Sequence, residues 1–372
     1  MNIKQTITHN LLNIPGWRTN RHIVVIESDD WGSIRMPSRE VYDNLLKEGY
    51  RVDLHPYEKY DSLATEDDLT SLFEVLSKFS DRRGRHPIIT ANCAVANPDF
   101  EKIKLSKFSQ YYYEPFTTTL KRYNGCEKSF ELWLQGIKNK VFMPQFHARE
   151  HLNVARWLDV LRNGDADNIF AFKQGMIGIF PKDNHKIGNI FQVALDNSKY
   201  EDQPIEEIIF EGLDLFEKIF GFKSKTFIAP CYTWSPKIET VLNEKGVSGL
   251  QGMVYQKLPG GNYIRHWMGT KNQYGQVYMI RNAFFEPSLR GDNHDEVNEC
   301  LYRIKCAFRW NKPAIISAHR INFIGVIHEE NREKNLKSLS VLLSSILRQW
   351  PDVEFMSSDE LCDIIISKYF YK

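Results

Sequence analysis

No stretch of this chain approaches the roughly 18 consecutive apolar residues that a membrane-spanning helix needs, so no membrane span is expected. The N-terminal stretch is also expected to make a poor secretory signal. Thr6, Thr8, His9, Asn10 and Asn13 interrupt any apolar core in the first 16 residues. Cysteine is sparse: the six residues (Cys93, Cys126, Cys231, Cys300, Cys306, Cys362) are scattered without a C-x-x-C pair. That excludes a disulfide frame or a thiolate zinc site and points to a reducing compartment, hence a cytoplasmic protein. An excess of either charge is lacking too. Lys+Arg 48 against Asp+Glu 47 gives a net charge of +1, which removes the bulk electrostatic case for a nucleic-acid or anionic-membrane partner. No repeat, low-complexity tract or Gly/Ser/Pro linker divides the chain. One domain over residues 1–372, with a core at about 22–360, is therefore expected; oligomeric state is not legible.

What is present is an alternation. Hydrophobic residues at 42% and charged residues at 26% suit a folded globular chain. Short β-branched runs recur at residues 22–28, 87–91, 141–146, 225–229, 246–250, 276–281, 313–318 and 353–356. Amphipathic helical patterns lie between them at 38–48, 65–79, 128–138, 153–162, 204–220, 235–245, 294–310 and 330–349. Ser38 and Thr65 suit N-caps, and Thr65-x-x-Asp68 approximates a capping box. Several runs are apolar throughout, as in parallel strands covered on both faces. About eight such units predict a distorted (β/α) barrel of seven to eight parallel strands. The aromatic segments 110–124 and 252–274 read as irregular loops inserted over one rim.

In a parallel α/β barrel the active-site face lies at the C-terminal strand ends. Three runs end there in reactive groups. The first enters Ser28-Asp29-Asp30-Trp31-Gly32, the third His147-Ala148-Arg149-Glu150-His151, and the seventh His319-Arg320. Two imidazoles that bind one zinc at about 2.0–2.1 Å must nearly touch. Residues four apart on a strand are about 13 Å apart, but one helical turn brings them within about 5–6 Å. His147 and His151 can therefore share an ion only if the chain coils directly after Phe146. Adjacent acids such as Asp29 and Asp30 point to opposite sides of a strand, which permits one metal ligand and one general base. His319, with an ordinary pKa of about 6.5, suits a general acid. By themselves H-x-x-x-H and Asp-Asp are loose signals, compatible with chance spacing and a solvated turn.

Taken together, the three strand ends resemble the polysaccharide deacetylase family (NodB homology, carbohydrate esterase 4-like) of the glycoside hydrolase/deacetylase superfamily. Residues 27–32 are similar to its T-F-D-D motif and His147–His151 to H-[S/T]-x-x-H, with Ala148 in the Ser/Thr place. Residues 227–232, with Pro230 and Tyr232, are similar to R-x-P-Y, and residues 315–319 to the L-x-H-D strand, with Arg320 in place of Asp. The resemblance implies a metal-dependent hydrolase that removes an N-acyl group, most simply N-acetyl, from a sugar or glycan. It implies Asp30, His147 and His151 as ligands of a divalent metal, Zn²⁺ first, with Asp29 as base and His319 as acid. A deformylase or amidohydrolase acting on a nucleotide-sugar, lipid-linked sugar or small amide is the alternative, as is a weakened glycan-binding barrel. Ile228 stands where the family has an arginine that holds the base; Arg281 and Arg320 are the candidates to replace it or to line the substrate site. Trp31 and Trp234 are candidates to stack on a pyranose, and Asn92, Pro230 and Tyr232 to line it, with core packing or turn formation as the competing roles. The partner implied is a carbohydrate.

Overall fold

The computed structural model describes residues 8–182, 190–291 and 294–370. Nine strands share one sheet: β1 (Ile23–Trp31), β2 (Ile89–Cys93), β3 (Phe142–Phe146), β4 (Thr226–Phe227), β5 (Gly249–Gly252), β6 (Val277–Ile280), β7 (Ala283–Phe284), β8 (Ala314–His319) and β9 (Glu354–Met356). Every pairing among them is parallel. The order is β6-β5-β4-β3-β2-β1-β8-β7, and β9 pairs with the N-terminal part of β1. The two ends of that row are consecutive in the chain. The Arg281 N–H donates to Gly252 O (2.9 Å) on β5, and the Asn282 N–H donates to Ile315 O (3.1 Å) on β8. One segment thus reaches both edges and closes the row into the distorted barrel that the alternation predicts.

Burial explains why these runs are strands. All nine residues of β1 are buried, and Val24, Val25 and Ile26 supply the β-branched packing that a doubly covered strand requires. Helices cover the outside. Arg39–Lys47 starts at Ser38, whose side chain accepts from the Val41 N–H, and Glu66–Ser77 carries the Thr65/Asp68 capping box in full. The helix Ile205–Phe220 buries Ile209, Leu213 and Phe216. It lies so close to β3 that a Cβ on Gly212 would sit 2.7 Å from the Phe146 ring, hence glycine there. No helix among the described residues is long and apolar enough to cross a membrane.

The eight expected strands are all present, and β7, only two residues long, was not foreseen. The two segments read as irregular loops need correction. Tyr113–Pro115 pairs antiparallel with Ala96–Pro98 and leads into a helical turn at Phe116–Leu120. Tyr255–Lys257 and Tyr263–Arg265 form an antiparallel ribbon. Elements of three to five residues are too short to impose a period on the sequence, so their backbone pairing is invisible there.

Candidate metal centre and active site

The end of β1 is bent. Its register against β2 shifts between Ser28 and Trp31, and Asp30 adopts a left-handed φ of 73°. A regular strand would send Asp29 and Asp30 to opposite faces. The bulge instead turns both carboxylates into one cavity and separates them by their partners. The cavity is about 440 Å³ and is also lined by His147, His151, Tyr232 and His319, with Met36, Met176, Ile177 and Phe180 as an apolar wall.

His147 and His151 do come together, with ring centroids 5.0 Å apart. No helix brings them there: the next helix starts at Val154, and the coil comes from Ala148 at φ 81°. His147 Nε2 lies 3.5 Å and His151 Nε2 3.3 Å from Asp30 Oδ1. The Nδ1–H of His147 donates to the Ile228 carbonyl (2.9 Å), which turns Nε2 towards Asp30, and that buried atom has no hydrogen-bond partner. Burial, reinforced by Arg35 and His147 against the pull of Asp30, lowers the His151 pKa to about 3, so this ring is neutral. Two imidazole nitrogens and a carboxylate oxygen converge, with one ligand atom from each residue within 4.8 Å of the others. Two imidazoles and a carboxylate are a donor set that fits a divalent cation, zinc included. Arg35 donates to the other Asp30 oxygen (3.2 Å), which leaves Oδ1 to face the histidines.

Asp29 has a different environment. Arg281 grips it with two bonds, Nη1–H to Oδ2 (2.7 Å) and Nη2–H to Oδ1 (2.6 Å), while the Arg281 Nε–H donates to Glu27 Oε2 (2.6 Å). Asn92 Nδ2–H adds a bond to Asp29 Oδ1 (2.7 Å). Burial acts to raise the Asp29 pKa, but the guanidinium prevails and holds the carboxyl well below the usual carboxylate range. Above it, His319 Nε2 lies 3.8 Å from Asp29 Oδ2. His319 Nδ1–H donates to Glu286 (2.6 Å), itself held by Asn322. Burial opposes the His319 charge, yet Glu286, Asp29 and Asp30 outweigh it and raise the pKa to about 9.

The remaining expected residues divide. Tyr232 lines the cavity, and its hydroxyl accepts from Arg281 (3.1 Å). Arg281 and Asn92 are sealed beneath Asp29, so they hold it and cannot line a sugar. Arg320, expected near the substrate, is buried on Asp61 (3.0 and 2.9 Å) and the Ser33 carbonyl, away from the cavity. Trp31 packs edge-on against Trp133 and Phe142, and Trp234 donates to Glu239; both are core residues, closed to a pyranose. Pro230 is buried at the start of the turn that carries Tyr232. Glu286, Glu27 and Arg35 were missed. Glu286 follows the short apolar run Ala283–Phe285, so the strand-end rule that found Asp29 and His319 would have found it had β7 been recognised.

Comparison with solved structures agrees with the barrel. A putative glycoside hydrolase/deacetylase from Parabacteroides distasonis superposes with a TM-score of 0.51 at 10% identity, covering 97% of this chain and 73% of that one. A putative polysaccharide deacetylase from Mycobacterium smegmatis gives 0.47 at 10% identity, covering 95% and 94%. The 4-alpha-glucanotransferase from Thermococcus litoralis gives 0.45 at 11%, and this chain, covered over 94% of its length, spans 40% of that protein. No protein-family model matches the chain, and no curated protein does.

Proposed function

With a barrel of the glycoside hydrolase/deacetylase type as premise, we propose that the protein is a metal-dependent hydrolase that removes an N-acyl group, most simply N-acetyl, from a sugar or glycan precursor. The observation that carries this reading is the convergence of Asp30, His147 and His151 beside the Arg281-held Asp29 and the Glu286-held His319, all at one cavity. Asp30, His147 and His151 would hold the ion, for which Zn²⁺ is the first choice given two imidazoles and one carboxylate. When bound, such an ion supplies Lewis-acid polarisation of a carbonyl and a water of lowered pKa.

The chain's own groups account for the protons. Asp29 accepts one from the attacking water, and Arg281 and Asn92 keep the carboxylate ionised and aimed. His319 gives its Nε2 proton to the departing nitrogen, so the leaving group departs as an amine rather than an amide anion. Glu286 holds the imidazole orientation and stabilises its charge. Water and amide become carboxylic acid and amine, which separate as carboxylate and ammonium, and the proton taken by Asp29 restores the acid form of His319. The alternative of a weakened glycan-binding barrel draws on two departures, Ile228 in the arginine place and Arg320 beside His319; Arg281, standing against Asp29 from a different strand end, answers the first. Localisation in the cytoplasm and a carbohydrate substrate belong to the same proposal.

The test is acetate release from N-acetylated sugars, nucleotide-sugars and oligosaccharides, with chelator and with metal restored. Chelation is expected to abolish release and zinc to restore it. Asp29→Asn should retain one equivalent of metal and lose about a hundredfold or more in turnover, the ordinary share of a general base. A fully active Asp29→Asn protein would remove the base assignment, and a metal-free active protein would remove the mechanism.

A further inference from the structure

The ribbon formed by Tyr255–Lys257 and Tyr263–Arg265 has two unlike faces. Its inner face is fixed. Gln256 Nε2–H donates to the Trp234 carbonyl (2.8 Å), Gln256 Oε1 meets His266 Nε2 (2.7 Å), and the His266 ring stacks on Tyr278 at 3.6 Å. Its outer face carries Tyr255, Lys257, Tyr263 and Arg265, all exposed, with Tyr255 opposite Arg265 and Lys257 opposite Tyr263. Tyr255 is 47% and Tyr263 60% exposed, high values for rings in a well-anchored element. Among the described residues no side-chain hydrogen bond or ion pair ties these four side chains to the rest of the barrel.

Charge and position point the same way. From residue 245 to residue 285 the sequence contains no Asp or Glu. Among the described residues neither Lys257 nor Arg265 has a carboxylate partner. Arg265 is held instead by Tyr255, through its hydroxyl (2.6 Å) and ring, and lies near Trp267. Lys257 also lines the catalytic cavity, so the ribbon face begins where the cavity ends. A cavity of about 440 Å³ suits one acylated sugar unit rather than a stretch of polymer. Leading outward from it, the order is a cation, then an aromatic ring across the ribbon, then a second cation and ring.

We propose that this ribbon binds the diphosphate and base of a nucleoside diphosphate sugar whose acylated sugar lies in the cavity. Lys257 meets the phosphates, with Arg265 further along the ribbon, and Tyr263 and Tyr255 offer flat faces to the base. A lipid-linked diphosphate would need an aliphatic track, and the four exposed side chains of the paired strands provide none. This assignment names the substrate of the hydrolysis proposed above and rests on that reading, but the ribbon has a readout of its own.

UDP alone, titrated calorimetrically into the metal-loaded protein, is expected to bind, to bind more weakly as salt rises, and to lose about tenfold in affinity in Lys257→Gln, as one charged hydrogen bond would give. Tyr263→Ala should weaken it as well. UDP-N-acetylglucosamine should be hydrolysed with a lower KM than N-acetylglucosamine, and both variants should raise the first KM towards the second with kcat little changed. Absence of UDP binding, with acetate still released from free sugars or oligosaccharides, overturns the ribbon assignment and leaves the hydrolase. A preference for an undecaprenyl diphosphate sugar with no UDP binding also overturns it. Ribbon-dependent UDP binding without acetate release from any sugar supports the nucleotide site and overturns the hydrolase.

Discussion

Arg281 is the side chain whose loss should be felt most sharply, and the geometry sets how much. Its guanidinium is fully buried and pairs with two carboxyls, Glu27 (0% exposed) and Asp29 (4%), through three bonds of 2.6–2.7 Å. Tyr232 and Ser317 accept two longer bonds of 3.1 Å. Arg281→Met keeps most of the volume and removes every donor. The two carboxyls are then close together without a counter-charge, Glu27 sealed from water and Asp29 open only to the cavity. Removal of one partner from a buried pair costs about 3–5 kcal/mol, more than a typical core truncation. Glu27 and Asp29 can escape part of that cost only by protonation, so their folded pKa values rise above the unfolded ones. Stability lost in this way is small below the ordinary carboxylate range and grows as pH rises through it. Urea unfolding at pH 5, 7 and 8 should therefore show a gap between parent and variant that widens with pH. Turnover near pH 7 should be lost because Asp29 is protonated, while one equivalent of metal stays bound to Asp30, His147 and His151. Glu27→Gln added to Arg281→Met removes one of the two opposed carboxyls and should regain part of the stability. A variant within about 1 kcal/mol of the parent at pH 8 would refute the reasoning, since a surface substitution does that much. A double variant less stable than the single would do so as well.

Two further consequences follow from the titrating groups. His319 must carry a proton to act as acid, and with a pKa raised to about 9 the rate should fall only as pH rises through that value. Glu286→Gln removes the strongest group that raises it, so the alkaline fall should move down by about one unit or more, and an unmoved limb would reject the pairing. Glu58 is a neutral acid in the apolar wall: burial pushes its pKa to about 8, against its single bond from the Phe180 N–H (3.0 Å). The parent therefore loses stability as pH rises from about 4.5 towards 8. Glu58→Gln, which keeps an acceptor for Phe180, should gain on the order of 3 kcal/mol at pH 7 and about 1 kcal/mol or less at pH 5. A pH-independent difference in thermal unfolding would contradict this.

The sequence was readable where chemistry and burial coincide within a few residues. β1, β3 and β8 are apolar runs that end in Asp29-Asp30, His147 and His319, and each polar end is legible because the preceding strand fixes its position. The grouping of Asp30, His147 and His151 is what the resemblance implies; spacing and strand order alone leave it compatible with chance. The local path between the histidines was not legible, because a single left-handed Ala148 replaces the expected helical turn and no local pattern marks it. Long-range roles were hidden for a different reason. Arg281 reaches Asp29 across 252 residues of chain, and at that range the sequence offered it only as one of two candidate arginines. Asn92 looked like a turn residue after a strand, yet its amide bridges Asp29 and Gln251. Trp31 and Trp234 misled because aromatic rings serve cores and sugar platforms equally well, and only burial separates the two uses.

The charges around the cavity form a set in which one member stands apart. Arg281 neutralises Asp29 and leans on Glu27, whose pKa burial raises despite that contact. Arg320 and Arg35 share Asp61, and Arg35 also touches Asp30. Glu286 answers His319. Each of these groups has a fixed partner at hydrogen-bond or ion-pair distance. The exception is the face of Asp30 turned to His147 and His151, where the three ligand atoms meet with no arginine or lysine among the described residues between them. Buried polar groups are ordinarily satisfied, and this chain satisfies their close neighbours Asp29, His319 and Asp61. The buried, partnerless His147 Nε2 beside Asp30 Oδ1 is therefore a place that a cation would suit. A divalent cation there would displace no existing bond, because Arg35 occupies the opposite oxygen of Asp30 and Ile228 the opposite nitrogen of His147.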